Sequence, residues 1–249
     1  VGPNGQPIYA SAPNANNAFI TKPGEAIASF YGYVYQGVFM TQKDLDSYPH
    51  LAGDKIGDGR YLDVNGDGKV DQTDKAILGN NQPKFTGGFS NNFSYKNLTL
   101  SAQLSFSSGA KAFSFFKRMV GIYHGDRNGL IEQVGRFETV SDPGDGVHFR
   151  ATRTPTGWQR DPSSAWITDV SYIRLRNVTL AYDFNHGQIK ALHINALRVY
   201  ATGQNLFTWT KYPGFDPETS SEGDGLTRGG DYLGYPAARS IIVGVNLTF

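Results

Sequence analysis

Cysteine is absent from these 249 residues, which removes disulfides and thiolate metal sites together. No apolar run reaches about eighteen residues, so the sequence offers no membrane-spanning helix. Charged residues are only 18%, below the usual quarter, which argues against a helical bundle. Lys+Arg 23 stand against Asp+Glu 22, and so balanced a chain carries no electrostatic footprint for nucleic acid. The histidines (His50, His124, His148, His186 and His193) form no H-E-x-x-H pair or triad grouping, and no serine sits in a G-x-S-x-G elbow. Nothing in the sequence points to an enzyme. A signal peptide and an initiating methionine are missing too, as expected of a mature fragment or a piece of a longer chain.

What is abundant is glycine (Gly 30) and aromatic side chain (Tyr 14, Phe 16), a composition suited to β-structure with long turns. A β-barrel membrane protein passes every exclusion above, because its strands alternate in polarity and never form a continuous apolar run.

The densest polar motif is Asp63-Val-Asn-Gly-Asp-Gly-Lys-Val-Asp-Gln-Thr-Asp74. Asp63, Asn65, Asp67, Asp71 and Asp74 fall at the oxygen-ligand positions of a calcium loop, and Gly68 falls where that loop must turn sharply. Lys69 offers only its backbone carbonyl, Asp71 acts through a water, and Asp74 replaces the usual terminal glutamate. The spacing predicts a structural calcium site, without separating calcium from magnesium. The alternative is a polar turn rich in Asp, Asn and Gly.

Around this loop the chain alternates. Residues 1–26 read as an irregular lead-in, and Ala28–Val38 as an aromatic strand. Residues 84–95 and 98–106 make a hairpin about the tight turn Lys96-Asn97. In the second arm Leu98, Leu100, Ala102, Leu104 and Phe106 oppose Thr99, Ser101, Gln103 and Ser105. In 170–184 the apolar parity changes midway. A bulge near Arg176 or Asn177 would put Ile173, Leu175, Val178, Leu180, Tyr182 and Phe184 on one face. Strands 197–210 and 239–249 complete the set, and short helices are expected at Thr41–Tyr48 and Phe113–Val120.

The connections alternate as well: long at 39–84, 107–168 and 211–238, short at 96–97 and 185–196. About six antiparallel strands with long loops at one end and short turns at the other are what an outer-membrane barrel produces. The expected fold is therefore all-β, an antiparallel transmembrane β-barrel segment. A secreted, calcium-stabilised β-sandwich that binds carbohydrate is the first rival. A dockerin-like module is the second, weakened because no second D-x-N-x-D-G occurs.

Several segments resemble the C-terminal region of the SusC/RagA family of TonB-dependent outer-membrane transporters of Bacteroidetes. They are Gly57–Gly68, Ile77-Leu-Gly-Asn80, Pro83–Phe89, Ser94–Asn97, Ser29–Phe39, Ser171–Leu180, Val199–Trp209 and Tyr212–Glu218. The resemblance spans residues 27–249 in order. It implies the last part of a barrel of about 22 strands, the scale of the largest transporters. It also implies a plug and a TonB-contacting segment that this chain lacks, and a SusD-like surface lipoprotein acting as a lid. Uptake of oligosaccharides or peptides would be driven through TonB. The remaining barrel and plug segments and outer-membrane lipid are the other expected partners.

With Phe249 at the periplasmic side, the three long loops face outward and the Asp63–Asp74 loop becomes a surface brace. Aromatics at the two interfaces would be Tyr95, Tyr182, Phe184 and Phe249 on one side and Trp166, Tyr172, Trp209 and Tyr212 on the other. Arg174 and Arg176 should point into the lumen, lining a substrate path or pairing with charges there. Trp158, Trp209 and Tyr232 are candidates for stacking on sugar. The sequence does not name the substrate.

Overall fold

The computed structural model describes residues 2, 4–12, 15–122, 128–153, 161–189, 194–218 and 225–249. The chain divides into two compact units. A loop unit comprises Val1–Gln82, Lys111–Thr168 and Thr219–Gly234, and a sheet unit comprises Pro83–Ala110, Asp169–Glu218 and Tyr235–Phe249. In chain order the strands are β1 (Ile8–Ala12), β2 (Ala15–Thr21), β3 (Ser29–Gly32), β4 (Tyr35–Val38), β5 (Gly59–Tyr61), β6 (Ala76–Gly79), β7 (Phe85–Tyr95), β8 (Leu98–Ser108), β9 (Lys111–Ser114), β10 (Ile167–Asp169), β11 (Tyr172–Phe184), β12 (Ala196–Thr210), β13 (Gly230–Asp231) and β14 (Ser240–Thr248). Besides a single helical turn at His186–Ile189, the described residues form two short α-helices, α1 (Gln42–Ser47) and α2 (Phe115–Val120). Both start on a side-chain cap: Thr41 Oγ1 accepts from Asp44 N (3.1 Å) and Ser114 Oγ from Lys117 N (3.1 Å).

In the sheet unit five strands lie in the order β14-β12-β11-β8-β7, all antiparallel. Tyr95 pairs with Leu98, so Lys96-Asn97 is the two-residue turn expected, with Lys96 in the left-handed region (φ 52). Strict alternation carries through the ladders. Phe93, Leu100, Leu180, Ala201 and Val243 are successive cross-strand partners, one row across all five strands. Asn92, Ser101, Thr179, Thr202 and Ile242 form the row behind it, on the opposite face. The expected bulge is present: between Leu175 and Asn177 the register of β11 slips against both neighbours, with Arg176 the extra residue against β8, while against β12 the extra residue lies on β12 between Gln204 and Phe207. Ile173, Leu175, Val178, Leu180 and Tyr182 thereby share a face with Phe106, Leu104, Ala102, Leu100 and Leu98.

That apolar face is exposed. Phe93 is 58% and Val243 71% accessible, and Phe85, Phe89, Tyr95, Ile173, Leu180, Phe207, Trp209, Ile241, Val245 and Leu247 are exposed with them. One exposed Leu is ordinary; a contiguous apolar face across five strands calls for a non-aqueous partner. The other face is bonded side chain to side chain. Thr179 and Thr202 hydroxyls lie 2.8 Å apart, Asn177 Nδ2 donates to Gln103 Oε1 (3.0 Å), and Ser240 donates to Gln204 Oε1 (3.0 Å).

The loop unit has its own core. Phe19, Phe30, Phe113, Phe115, Phe149 and Trp166 are buried together, with Phe113 and Phe115 ring centroids 4.8 Å apart. A second cluster joins Tyr33, Leu51, Tyr61 and Val70. Three expectations need correcting here. Residues 28–38 are not a sixth strand of the large sheet: β3 pairs with β2 and β6, and β4 with β5. Both parities of that stretch are buried, and at Gly32 a Cβ would stand 2.1 Å from the Pro162 carbonyl oxygen, so the backbone is packed too closely for a barrel strand. Residues 1–26 are not wholly irregular, since β1 and β2 form a hairpin whose Phe19 pairs with Phe30. Trp166 (2% exposed) and Tyr212 (6%) are buried, and Tyr172 lies on the polar face opposite Ser107, so these three are not interfacial aromatics of the apolar face.

Candidate functional site: an arginine latch on the polar face and the aspartate loop

Arg174 sits just before the β11 slip and Arg176 within it, on the strand flanked by β8 and β12. Arg174 is 3% exposed and its guanidinium is engaged at all three nitrogens. Nε donates to Thr208 Oγ1 (3.0 Å), Nη2 meets Asp216 Oδ1 (2.5 Å) and Nη1 meets Glu218 Oε2 (2.5 Å). Arg176 donates through Nε to Ser105 Oγ (2.7 Å) and through Nη2 to Glu218 Oε1. Tyr172 Oη donates to the same carboxylate oxygen (2.5 Å).

The partners come from the start of the 211–238 connection. Asp216 Oδ1 also accepts from Glu218 N (2.9 Å), and Oδ2 from Ala237 N (3.0 Å). Burial raises the Asp216 pKa, but Arg174 and these two backbone N–H groups outweigh it, so the carboxyl lies below its ordinary range. A buried arginine with two carboxylates is held by charge-assisted, fork-shaped bonds. The result is a latch fastening Phe215–Glu218 to the strand wall. Of the two expectations for Arg174, charge pairing describes its contacts. Asp216, Glu218 and Thr208 were not singled out from sequence. The acidic pair flanking Pro217 was the available signal, about forty residues downstream of the arginines it serves.

The Asp63–Asp74 loop belongs to the loop unit and is closed on itself. Asp63 accepts from Gly66 N (2.7 Å) and Gly68 N (2.8 Å), Asn65 from Asp67 N (2.9 Å), Asp67 from Lys69 N (3.0 Å), and Asp71 from Thr73 N (2.8 Å). The two Thr73 bonds, backbone first, hold the exposed Asp71 carboxyl below its ordinary pKa. Asp74 is fully buried: Oδ1 accepts from Val64 N (2.8 Å) and Asn65 N (3.3 Å), and Oδ2 from Asp71 N (2.8 Å). Each sharp turn is thus made by a side-chain oxygen taking a backbone N–H, which is why Asp and Asn recur at alternate positions. Val70 anchors the loop in the second core cluster. Among the described residues no three His, Asp or Glu side chains converge closely enough to hold a metal ion.

The remaining candidates are not brought into a site. Trp158, the third substrate-path candidate, lies outside the described residues. Trp209 is on the apolar face, stacked with Phe207 at 6.0 Å, and Tyr232 packs on Phe115 at 5.2 Å, so neither stands free as a sugar platform. A buried ion pair that sequence did not suggest ties the loop unit together: Arg150 Nε to Asp58 Oδ1, 2.7 Å, with Asp58 1% exposed.

No family model matches the chain. It is 31% identical over 236 residues to TonB-dependent receptor P3 of Formosa agariphila, covering 92% of this chain and 23% of that protein. TonB-dependent receptor P26 of the same organism is 30% identical over 230 residues, 91% of this chain and 23% of the relative. TonB-dependent receptor SusC of Bacteroides thetaiotaomicron is 29% identical over 231 residues, 92% and 20% of the two chains. Among solved structures, the RagAB peptide transporter superposes with a TM-score of 0.73 at 22% identity, over 96% of this chain and 24% of that one. The RagAB peptide importer in its 'open-open' state gives 0.68 at 22%, over 94% and 24%. The chain spans about a quarter of the length of the proteins it matches. With an exposed apolar face, a bonded polar face and an in-order match along nearly all its length, this chain belongs to the SusC/RagA family of TonB-dependent receptors.

Proposed function

We propose that the chain is the C-terminal wall segment of an outer-membrane active transporter. Its sheet would be completed by further strands into a barrel of about 22. The observation that carries this reading is the apolar face of the five-stranded sheet, exposed from Phe85 to Leu247, backed by a polar face bonded within itself. Strands of 9 to 15 residues suffice to cross a bilayer core when tilted. Transport would import oligosaccharides or peptides with energy passed through TonB, under a SusD-like surface lipoprotein. The likeness to RagAB, a peptide transporter, supports the peptide arm. A secreted β-sandwich would need these residues covered, and they are exposed.

Calcium is proposed for the 63–74 loop as a brace, its binding drawing Asp63, Asn65, Asp67, the Lys69 carbonyl and Asp71 inward from the self-bonded arrangement. The ion would screen the repulsion among these carboxylates and order the loop. Asp74, with three N–H groups already on its carboxylate, would position the loop. Chelator treatment tests this directly: hydrogen exchange should rise in residues 57–80 with the strands unchanged, and an unchanged loop would remove the metal from the account.

Detergent dependence tests the membrane reading. The full-length protein should be monodisperse and folded only with detergent or lipid; folded, monodisperse protein in plain buffer would overturn it.

A further inference from the structure

Asparagine is followed by glycine at Asn4-Gly5, Asn65-Gly66 and Asn128-Gly129. Such a pair carries its own reaction, because no glycine Cβ keeps the glycine backbone nitrogen from the asparagine Cγ. All three pairs are exposed, so access to water does not distinguish them. Their hydrogen bonds do. Gly5 N donates to Gly2 O (3.0 Å), which holds that nitrogen in a turn. At the second pair both reacting groups are tied. Gly66 N donates to Asp63 Oδ1 (2.7 Å), and Asn65 Oδ1 accepts from Asp67 N (2.9 Å). Asn65 Nδ2 donates to Thr73 Oγ1 (2.8 Å) and to Asp67 Oδ2 (3.3 Å). At the third pair neither the Asn128 side chain nor the Gly129 N–H has a hydrogen-bond partner among the described residues.

We infer that Asn128 is a site of spontaneous deamidation, and that Asn65 is spared for as long as its loop stays closed. Gly129 N gives its proton to hydroxide and attacks Asn128 Cγ. The new N–Cγ bond closes a succinimide as the Cγ–Nδ2 bond breaks, and the side-chain nitrogen leaves as ammonia. Water then adds to either ring carbonyl and opens the ring to aspartate or isoaspartate; nothing is oxidised or reduced. Either product adds one negative charge to the loop unit. Isoaspartate also adds a methylene to the backbone just ahead of the helical turn Ile131–Gly135. The order of the three sites follows from the bonds. A donated N–H resists deprotonation, and a tethered amide does not turn toward its own backbone.

Peptide mapping by mass spectrometry, on full-length protein kept folded in detergent at mildly alkaline pH, reads all three sites as amide replaced by carboxyl. Asn128 should convert about tenfold faster than Asn4, the factor one net hydrogen bond supplies, and faster still than Asn65. In urea the three should convert at similar rates, since the dipeptide is the same. G129A should slow Asn128 in the folded protein. D63A frees the Gly66 N–H and should raise Asn65 toward the rate of Asn128. An Asn128 no faster than Asn65 in the folded wild type would overturn the site. The same ranking persisting in urea, or an Asn65 as slow in D63A as in wild type, would show that these hydrogen bonds do not set the order.

Discussion

Arg174 is the residue on which the polar face is most exposed to error. With its side chain removed, Asp216 and Glu218 would keep their charges beside a buried wall. Arg174→Ala should therefore destabilise the sheet unit by about 3–5 kcal/mol in urea unfolding of the detergent-solubilised protein. Arg198→Ala removes only an exposed pair with Asp183 (3.6 Å) and should cost about 0.2–1 kcal/mol, so equal losses would contradict the latch. Asp54 makes a pH-dependent contribution. Burial raises its pKa to about 6 from an ordinary 3.8, opposed by the Leu51 N–H. The folded state prefers the neutral acid, so its stabilising share is complete below about 4 and is lost as pH rises through about 6. Asp54→Asn should flatten the stability of the loop unit across that window, measured by hydrogen exchange at Leu51 and its neighbours. Residues of this kind were hard to read from sequence because their partners are distant: Arg174 from Asp216, Arg150 from Asp58. The aspartate loop, by contrast, is local, and its turn-making pattern was visible in the spacing alone.

Among the elements, β8 is the most informative. Its alternation from Leu98 to Phe106 held without exception, and the parity change in β11 was enough to place a bulge near Arg176 or Asn177. Period-two patterns survive because each residue has only two faces to choose between, and one face is bonded to polar neighbours. Leu100→Arg should cost about 2–4 kcal/mol if that row sits near the bilayer midplane, whereas Gln103→Arg on the other face should be nearly neutral. Refolding into lipid vesicles with a gel-shift readout separates the two. The short strands β1 to β6 had no such rule to follow. Residues 28–38 looked like one strand because they are aromatic and dotted with glycine, but Gly32 and Tyr33 meet the Pro162 backbone, with Tyr33 N donating to its carbonyl at 2.9 Å. Gly32→Val should therefore unfold the loop unit's small sheets while β7, β8, β11, β12 and β14 remain paired.

At the scale of the whole molecule, two kinds of burial operate in one chain. The loop unit buries Phe19, Phe30, Phe113, Phe115, Phe149 and Trp166 inside itself, as a water-soluble fold does. The sheet unit leaves its apolar face outside and bonds its polar face within. The sheet was legible because its signal is periodic. The core of the loop unit was not, because its members are scattered over three segments with no period, and much of it lies in what the sequence shows only as long connections. The central claim is that the outward face of the sheet is a lipid face. Spin labels placed singly at 98 to 106 along β8 test it most directly in the protein reconstituted in liposomes. Labels at Leu98, Leu100, Ala102, Leu104 and Phe106 should be accessible to oxygen and shielded from a water-soluble nickel relaxant. Those at Thr99, Ser101, Gln103 and Ser105 should lack that oxygen signature. A uniform aqueous accessibility along the strand, with no period of two, would contradict the account.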